Sequence, residues 1–268
     1  MGTLAVGSVR SCGVTTIVAA LAAVWPDDRR RLVVELDHAG GTLAALFGLR
    51  SEPGLVSLAA AARRRSDPEL IREHCQELAD GTAVLAGPPS AEQARTALGL
   101  LGPLLAQLDE LESDVLIDCG RLDATSIAHE ALERANVALL LARPQLPDMH
   151  CLASWLERRT GSARQVTVVL VGAGPYKQAE VADALHVEVL GEVPFDPDGV
   201  LALTSGAPSR VRARSPLLRH ARSLADAIVE KLSASEPVAR PVRSERDERA
   251  PTTVPIHVGA TAQEASRT

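Results

Sequence analysis

The chain has 268 residues, a formal net charge of −6, 46 % hydrophobic residues and only 2 % aromatics. That length holds one large domain with a full core, and the net charge excludes a global electrostatic attraction to nucleic acid or membranes, leaving only local patches. With so few aromatics the core must be built from Leu, Val, Ala and Ile, which suits an α/β layer structure.

A short apolar run (Leu4, Ala5, Val6) stops at Gly7. A small polar loop follows, and Gly13-Val14-Thr15-Thr16 opens an Ala-rich helix that ends near Trp25-Pro26. Leu32 to Asp37 reads as a buried parallel strand with acids at its end. His38-Ala39-Gly40-Gly41 is a loop, and Thr42 caps a short helix. Glu52 to Leu78 reads as two helices split at Ser66-Asp67-Pro68. Thr82 to Leu85 is a short strand. Ser90 begins a helix with apolar positions Ala94, Leu98, Leu101, Leu104, Leu105 and Leu108, which Gly102-Pro103 should kink.

Asp114 to Asp118 is a strand that again ends in a carboxylate. Val137–Leu141 and Val166–Val171 are continuous apolar runs, as expected of strands covered on both faces. A helix lies between them, from about Asp148 to Arg159. Arg143-Pro144-Gln145 ends a strand at the rim, with the proline explained by strand termination. Pro175 to Leu185 is helical, Val187 to Leu190 is a strand, and Pro194-Phe195-Asp196-Pro197 is a turn. Ser215-Pro216 starts a last helix whose apolar positions Leu217, Ala221, Leu224, Ile228 and Leu232 keep helical spacing. Residues 1–232 thus form one domain. Residues 233–268, rich in Pro, Ser, Arg and Glu, bury too little to offset ordering entropy and are expected to be a disordered tail.

Strands alternating with helices imply a doubly wound, mostly parallel sheet. Ligands bind such sheets outside the carboxyl ends of the strands. Gly7, Asp37, Asp118 and Gly172 all fall near such ends and should converge on one rim. Strand, tight loop, helix is also the setting in which a phosphate-binding loop is credible, because a helix N-terminus offers unpaired N–H groups to an anion.

The four cysteines, Cys12, Cys75, Cys119 and Cys151, form no C-x-x-C pair and no zinc spacing. Scattered thiols point to a reducing cytosol, so a cytoplasmic location is expected. No stretch is long enough to cross a bilayer. Cys12 and Cys119 fall on neighbouring segments; inert thiols are the default, and a redox switch is the competing reading.

The order of the loop Ser8-Val9-Arg10-Ser11-Cys12-Gly13-Val14-Thr15-Thr16, then VVELDHAGG, DVLIDCG, VPFD and the SPLL helix resembles the ParA/MinD-like ATPases with a deviant phosphate loop. It looks closest to the atypical CpaE/TadZ branch of actinobacterial relatives. Laid on the family's G-K-G-G-x-G-K-T-T, Val9 and Val14 take the two lysine positions, while Gly13, Thr15 and Thr16 match. The resemblance implies a nucleotide-contacting set of Ser8, Arg10, Ser11, Cys12, Gly13, Val14, Thr15 and Thr16. It also implies magnesium on Thr15 and, through water, Asp118, with Asp37 orienting the attacking water. Glu35 reads as a structural strand residue. The adenine-recognising asparagine is replaced by Gly172-Ala173-Gly174, and Arg10 is the nearest cation by position.

A charge-assisted hydrogen bond contributes about 1.5–3 kcal/mol, so losing the lysine should weaken nucleotide binding roughly ten- to a hundredfold. Catalysis should suffer more, since one arginine finger is worth about 10³–10⁵ in rate. The expectation is weak ATP binding, magnesium only with nucleotide, and slow or absent hydrolysis. The protein would then position or regulate others in chromosome partitioning, septum placement or pilus and secretion assembly, with protein partners and a homodimer across the loop face. Two alternatives stand beside it: a working ATPase with Arg10 replacing lysine, and an adaptor that never binds nucleotide. Arg210, Arg212, Arg214, Arg219 and Arg222 raise non-specific DNA binding; a solvated helix face is the preferred reading. No sustained apolar face near the C-terminus suggests a membrane-binding helix.

Overall fold

The computed structural model describes residues 1–122, 127–159 and 166–234. Over these residues strand and helix alternate as β1 (Thr3–Ser8), α1 (Val14–Val24), β2 (Arg31–Glu35), α2 (Leu43–Phe47), α3 (Leu55–Ala62), α4 (Glu69–Glu73), β3 (Gln76–Glu77), β4 (Ala83–Leu85) and α5 (Ala91–Leu105). They continue as β5 (Asp114–Arg121), α6 (Ile127–Arg134), β6 (Val137–Ala142), α7 (Leu146–Arg158), β7 (Val166–Val171), α8 (Gln178–Leu185), β8 (Glu188–Val193), α9 (Pro197–Thr204), α10 (Ser209–Arg212) and α11 (Pro216–Ala234).

The strands lie in the order β3-β4-β2-β5-β1-β6-β7-β8. All pair in parallel except β3 with β4. This is the expected doubly wound, mostly parallel α/β sheet. From β1 the chain builds one way through β2 to β4, fills the gap with β5, and then builds the other way through β6 to β8. β1 is therefore the switch point, where a crevice opens at the carboxyl ends.

Successive residues of β1 face opposite sides, as strand geometry requires. Ala5 joins a core layer with Val34, Leu101, Ile117, Leu140 and Trp155. Leu4 and Val6 join the other layer with Leu21, Trp25, Val33 and Leu116. The apolar positions expected in α11, Leu217, Ala221, Leu224, Ile228 and Leu232, are all buried in that second layer. At the opposite end of the sheet from the crevice, fully buried Asp114 accepts hydrogen bonds from the Trp25 indole at 2.9 Å, from the Gly2 N–H at 3.0 Å and from the Arg29 guanidinium. Burial alone would raise its pKa, but these donors outweigh it and hold the carboxyl below its ordinary value.

Two segments depart from the sequence reading. The second helix of residues 52–78 stops at Glu73, and Gln76–Glu77 pairs antiparallel with β4 instead. The Gln76 amide also donates to the Arg50 and Pro53 carbonyls, so tertiary pairing overrides local helix preference. The turn at Pro194–Pro197 runs directly into α9: Asp196 caps the Gly199 N–H at 2.9 Å and Pro197 takes the first helical position. Helix α5 continues through Pro103 to Leu105. Helix α11 includes Ser233 and Ala234, and the rest of the expected tail lies outside the described residues. Among the described residues no helix is long and apolar enough to cross a membrane.

Candidate functional site

The loop after β1 enters α1 through Gly13, whose φ of 93° lies in the left-handed region that glycine adopts without strain. No side chain caps α1 and no acid lies in its first turn. In α5 and α9, by contrast, Ser90 and Asp196 accept from the first-turn N–H groups. The first-turn N–H groups of α1 therefore remain for an anion, at the positive end of the helix dipole. The residues at the two lysine positions turn inward: Val14 is 5 % exposed and Val9 packs against the core. No ammonium group can reach an anion from either place.

On one side of the loop stand the acids. Strand β5 neighbours β1 and β2 neighbours β5, so Val6, Asp118 and Glu35 lie in register. Glu35 is buried, and its two oxygens accept from the N–H groups of Thr42 (2.6 Å), Leu43 (3.1 Å) and Gly87 (2.8 Å). It ties the segments after β2 and β4 together and has no capacity left for chemistry. Burial raises its pKa while the three N–H groups oppose the rise.

Asp37, two residues beyond β2, is half-buried and accepts from the Ala39 N–H at 2.8 Å. Its carboxylate packs against Gly120, which has a φ of 57°; a Cβ there would lie 2.1 Å from the Asp37 Cγ. Asp118 is fully buried. Its Oδ1 accepts from the Gly120 N–H at 2.9 Å, and the Thr15 hydroxyl is a side-chain donor beside the carboxylate. Burial pushes its pKa up to about 7, Glu35 and Asp37 add to the rise, and the adjacent Thr15 hydroxyl opposes it. The structure thus brings Thr15, Asp37 and Asp118 together.

On the other side β6 pairs with β1, with Ser8 opposite Leu141. The residues just past β6 consequently lie beside the loop. Arg143 donates from its guanidinium to the Ser11 carbonyl. It also lines a cleft of about 720 Å³ with Ser11, Cys12, Gly13, Thr16, Gly172, Phe195 and Asp196 among its walls. Phe195 is 82 % exposed. Asp196 is committed, accepting from Gly199 through Oδ1 and from the Ser215 hydroxyl and the Leu217 N–H through Oδ2. Arg10 is half-exposed, stands 3.6 Å from buried Asp148, and does not line the cleft.

Buried polar atoms without a partner concentrate here. Among the described residues there are five, of which the Ser8 hydroxyl, His38 Nδ1, Asp118 Oδ2 and Asp148 Oδ1 lie around this edge of the sheet, with the Cys12 thiol beside Ser8 and the Thr15 hydroxyl beside Asp118. Such atoms are costly unless something fills the site. Cys12 and Cys119 are free and buried, in different core layers on opposite faces of the sheet. Burial pushes the Cys12 thiol up to about 11 and raises Cys119 as well. Neither is a reactive thiolate, so the inert reading holds for these two.

Sequence reasoning missed Phe195 and Asp148, and put Arg143 at the rim without a role. The signal for Arg143 was the position of β6 beside β1, which follows only from strand order. Phe195 carried a weaker signal, an aromatic in a chain that has only two phenylalanines.

An open parallel sheet with an uncapped helix N-terminus at its switch point, flanked by strand-end carboxylates, is the architecture of phosphate-loop nucleoside triphosphatases. More particularly, the fold is that of the ParA and MinD ATPases. A ParA-family ATPase from Chlorobium tepidum TLS superposes with a TM-score of 0.68 at 15 % identity, over 85 % of this chain and 97 % of that one. The cell-division ATPase MinD of Pyrococcus furiosus gives 0.68 at 22 % identity, over 86 % and 99 %. The septum site-determining protein MinD of Pyrococcus horikoshii OT3, complexed with Mg-ADP, gives 0.67 at 20 %, over 86 % and 98 %. No protein-family model and no curated protein matches the sequence.

Proposed function

We propose that this chain is a ParA/MinD-like nucleotide-binding protein of the CpaE/TadZ kind whose phosphate loop has lost its lysines. It binds ATP weakly and hydrolyses it slowly or not at all. It serves as a positioning or regulatory component through protein partners, with a homodimer across the loop face. The observation that carries this reading is the uncapped N-terminus of α1 beside the Asp37 and Asp118 carboxylates, next to a cleft of about 720 Å³. That volume suits a nucleoside, with the base on exposed Phe195 and the phosphates at the loop.

The residues present fit a magnesium nucleotide. The Thr15 hydroxyl and, through water, Asp118 would hold the metal, which would neutralise phosphate charge. Among the described residues no three His, Cys, Asp or Glu side chains form a metal site, so phosphates and water would supply most of the magnesium shell. Asp37 would orient water, but the loop supplies no lysine to stabilise transferring charge, which is why turnover should be slow.

Calorimetry with ATP, with and without magnesium, tests binding, and the expected result is weak, magnesium-dependent heat. A hydrolysis assay against Asp37→Ala follows. Turnover typical of intact family members would favour the working ATPase, and absence of any binding would favour the adaptor.

A further inference from the structure

We infer that Arg143, outside the loop and past the end of β6, supplies the positive charge that holds the phosphates; this rests on the nucleotide reading above. The two loop positions that would carry lysines hold inward-turned valines. Arg143 is the one cation among the described residues lining the cleft. Its guanidinium already touches the loop at the Ser11 carbonyl, and its charge is felt at Cys12, where it opposes the rise of the thiol pKa. The single carboxylate in the cleft wall, Asp196, accepts from the Gly199 N–H, the Ser215 hydroxyl and the Leu217 N–H. Next to it lie the uncapped N–H groups of α1 and the fully buried Ser8 hydroxyl, which sits beside the Cys12 thiol.

A guanidinium presents a planar fork of donors suited to phosphate oxygens. From this position it reaches a ligand across the mouth of the cleft, whereas a loop lysine would reach from within the loop. The charge has moved from β1–α1 to β6–α7. Since Arg143 binds a loop carbonyl and faces the cleft at once, a bound phosphate would draw on the same guanidinium that fixes the loop. The group recognised is a polyphosphate, whether on a nucleoside or free.

The test is a calorimetric series on the full chain with adenosine, ADP, ATP and inorganic tripolyphosphate, each with magnesium. Arg143→Gln keeps a donor for the Ser11 carbonyl but removes the charge. It should weaken ATP and tripolyphosphate by about ten- to a hundredfold and leave adenosine within about twofold. Arg143→Lys should recover much of the loss, and Arg10→Gln should change ATP affinity by less than about twofold. Tripolyphosphate binding as tight as ATP would assign the site to free polyphosphate and still place the charge at Arg143. If wild type binds ATP and Arg143→Gln binds it equally well, the inference fails while the nucleotide reading stands. An equal loss for adenosine and ATP would mean a merely structural role and also overturns it. If wild type binds none of the four, both fall.

Discussion

The two flanks of the loop are built on different principles. On the β2–β5 side, three carboxylates are packed into a small space, with Glu35 and Asp118 fully buried and Asp37 pressed against Gly120. On the β6–β8 side stands an open cleft with an arginine, an exposed phenylalanine and no uncommitted carboxylate. The acid flank keeps the residues that the resemblance expects, while the cleft flank and the loop itself depart from it. On the proposed reading, the acid flank would serve the metal and water while the charge that grips phosphate sits on the cleft flank.

The largest effect that could break this contrast lies at Glu35. If it is the structural anchor of the acid flank, Glu35→Ala leaves the buried Leu43 and Gly87 N–H groups and the part-buried Thr42 N–H without their acceptor and should cost about 3–5 kcal/mol, read by urea denaturation. A cost below about 1 kcal/mol would mean the flank is held otherwise.

Asp118 comes next and carries a pH signature. Its carboxyl has a folded pKa of about 7, above the unfolded value of about 3.9. The folded state therefore holds a proton that the unfolded state releases between these values, and stability falls as pH rises from about 4 to 7. Asp118→Asn mimics the neutral form. It should be neutral at pH 4 and stabilise the ligand-free protein on the order of 4 kcal/mol at pH 8, seen as a higher Tm. An unchanged Tm at pH 8 would show that the site does not store this cost.

On the cleft flank, Phe195→Ala should leave stability within about 0.5 kcal/mol because the ring is exposed, yet weaken nucleotide binding by about 1–3 kcal/mol through lost stacking. Stacking on a ring is insensitive to base identity, so ATP and GTP should lose equally. At Gly120, Gly120→Ala meets a left-handed backbone and the Asp37 carboxylate. A cost of about 1–2 kcal/mol is expected, with any residual hydrolysis reduced because Asp37 is displaced.

How legible each flank was in the sequence follows from the same contrast. Asp37 and Asp118 could be placed because each closes or follows an apolar run, and parallel strands bring their carboxyl ends to one rim. The loop could be found because Gly13-Val14-Thr15-Thr16 follows such a run directly. Arg143, Phe195 and the loop come from segments far apart in sequence and meet only because β6, β7 and β8 line up beyond β1. Local pattern carries no information about that order. Helix α9 had a readable signal in Asp196-Pro197, cap and first helical residue, but reads equally as a turn when taken alone. The short pairing of Gln76–Glu77 depends on β4 and on the Arg50 and Pro53 carbonyls, which no window of sequence contains.

The most direct measurement is an amide-resolved NMR titration of the labelled protein with ATP and magnesium. If the first turn of α1 grips the phosphates with help from across the cleft, the amides of Gly13, Val14, Thr15 and Thr16 and that of Phe195 should shift together, with one common dissociation constant. Loop amides that stay unmoved at millimolar ATP, or shifts confined to another face of the sheet, would contradict the account.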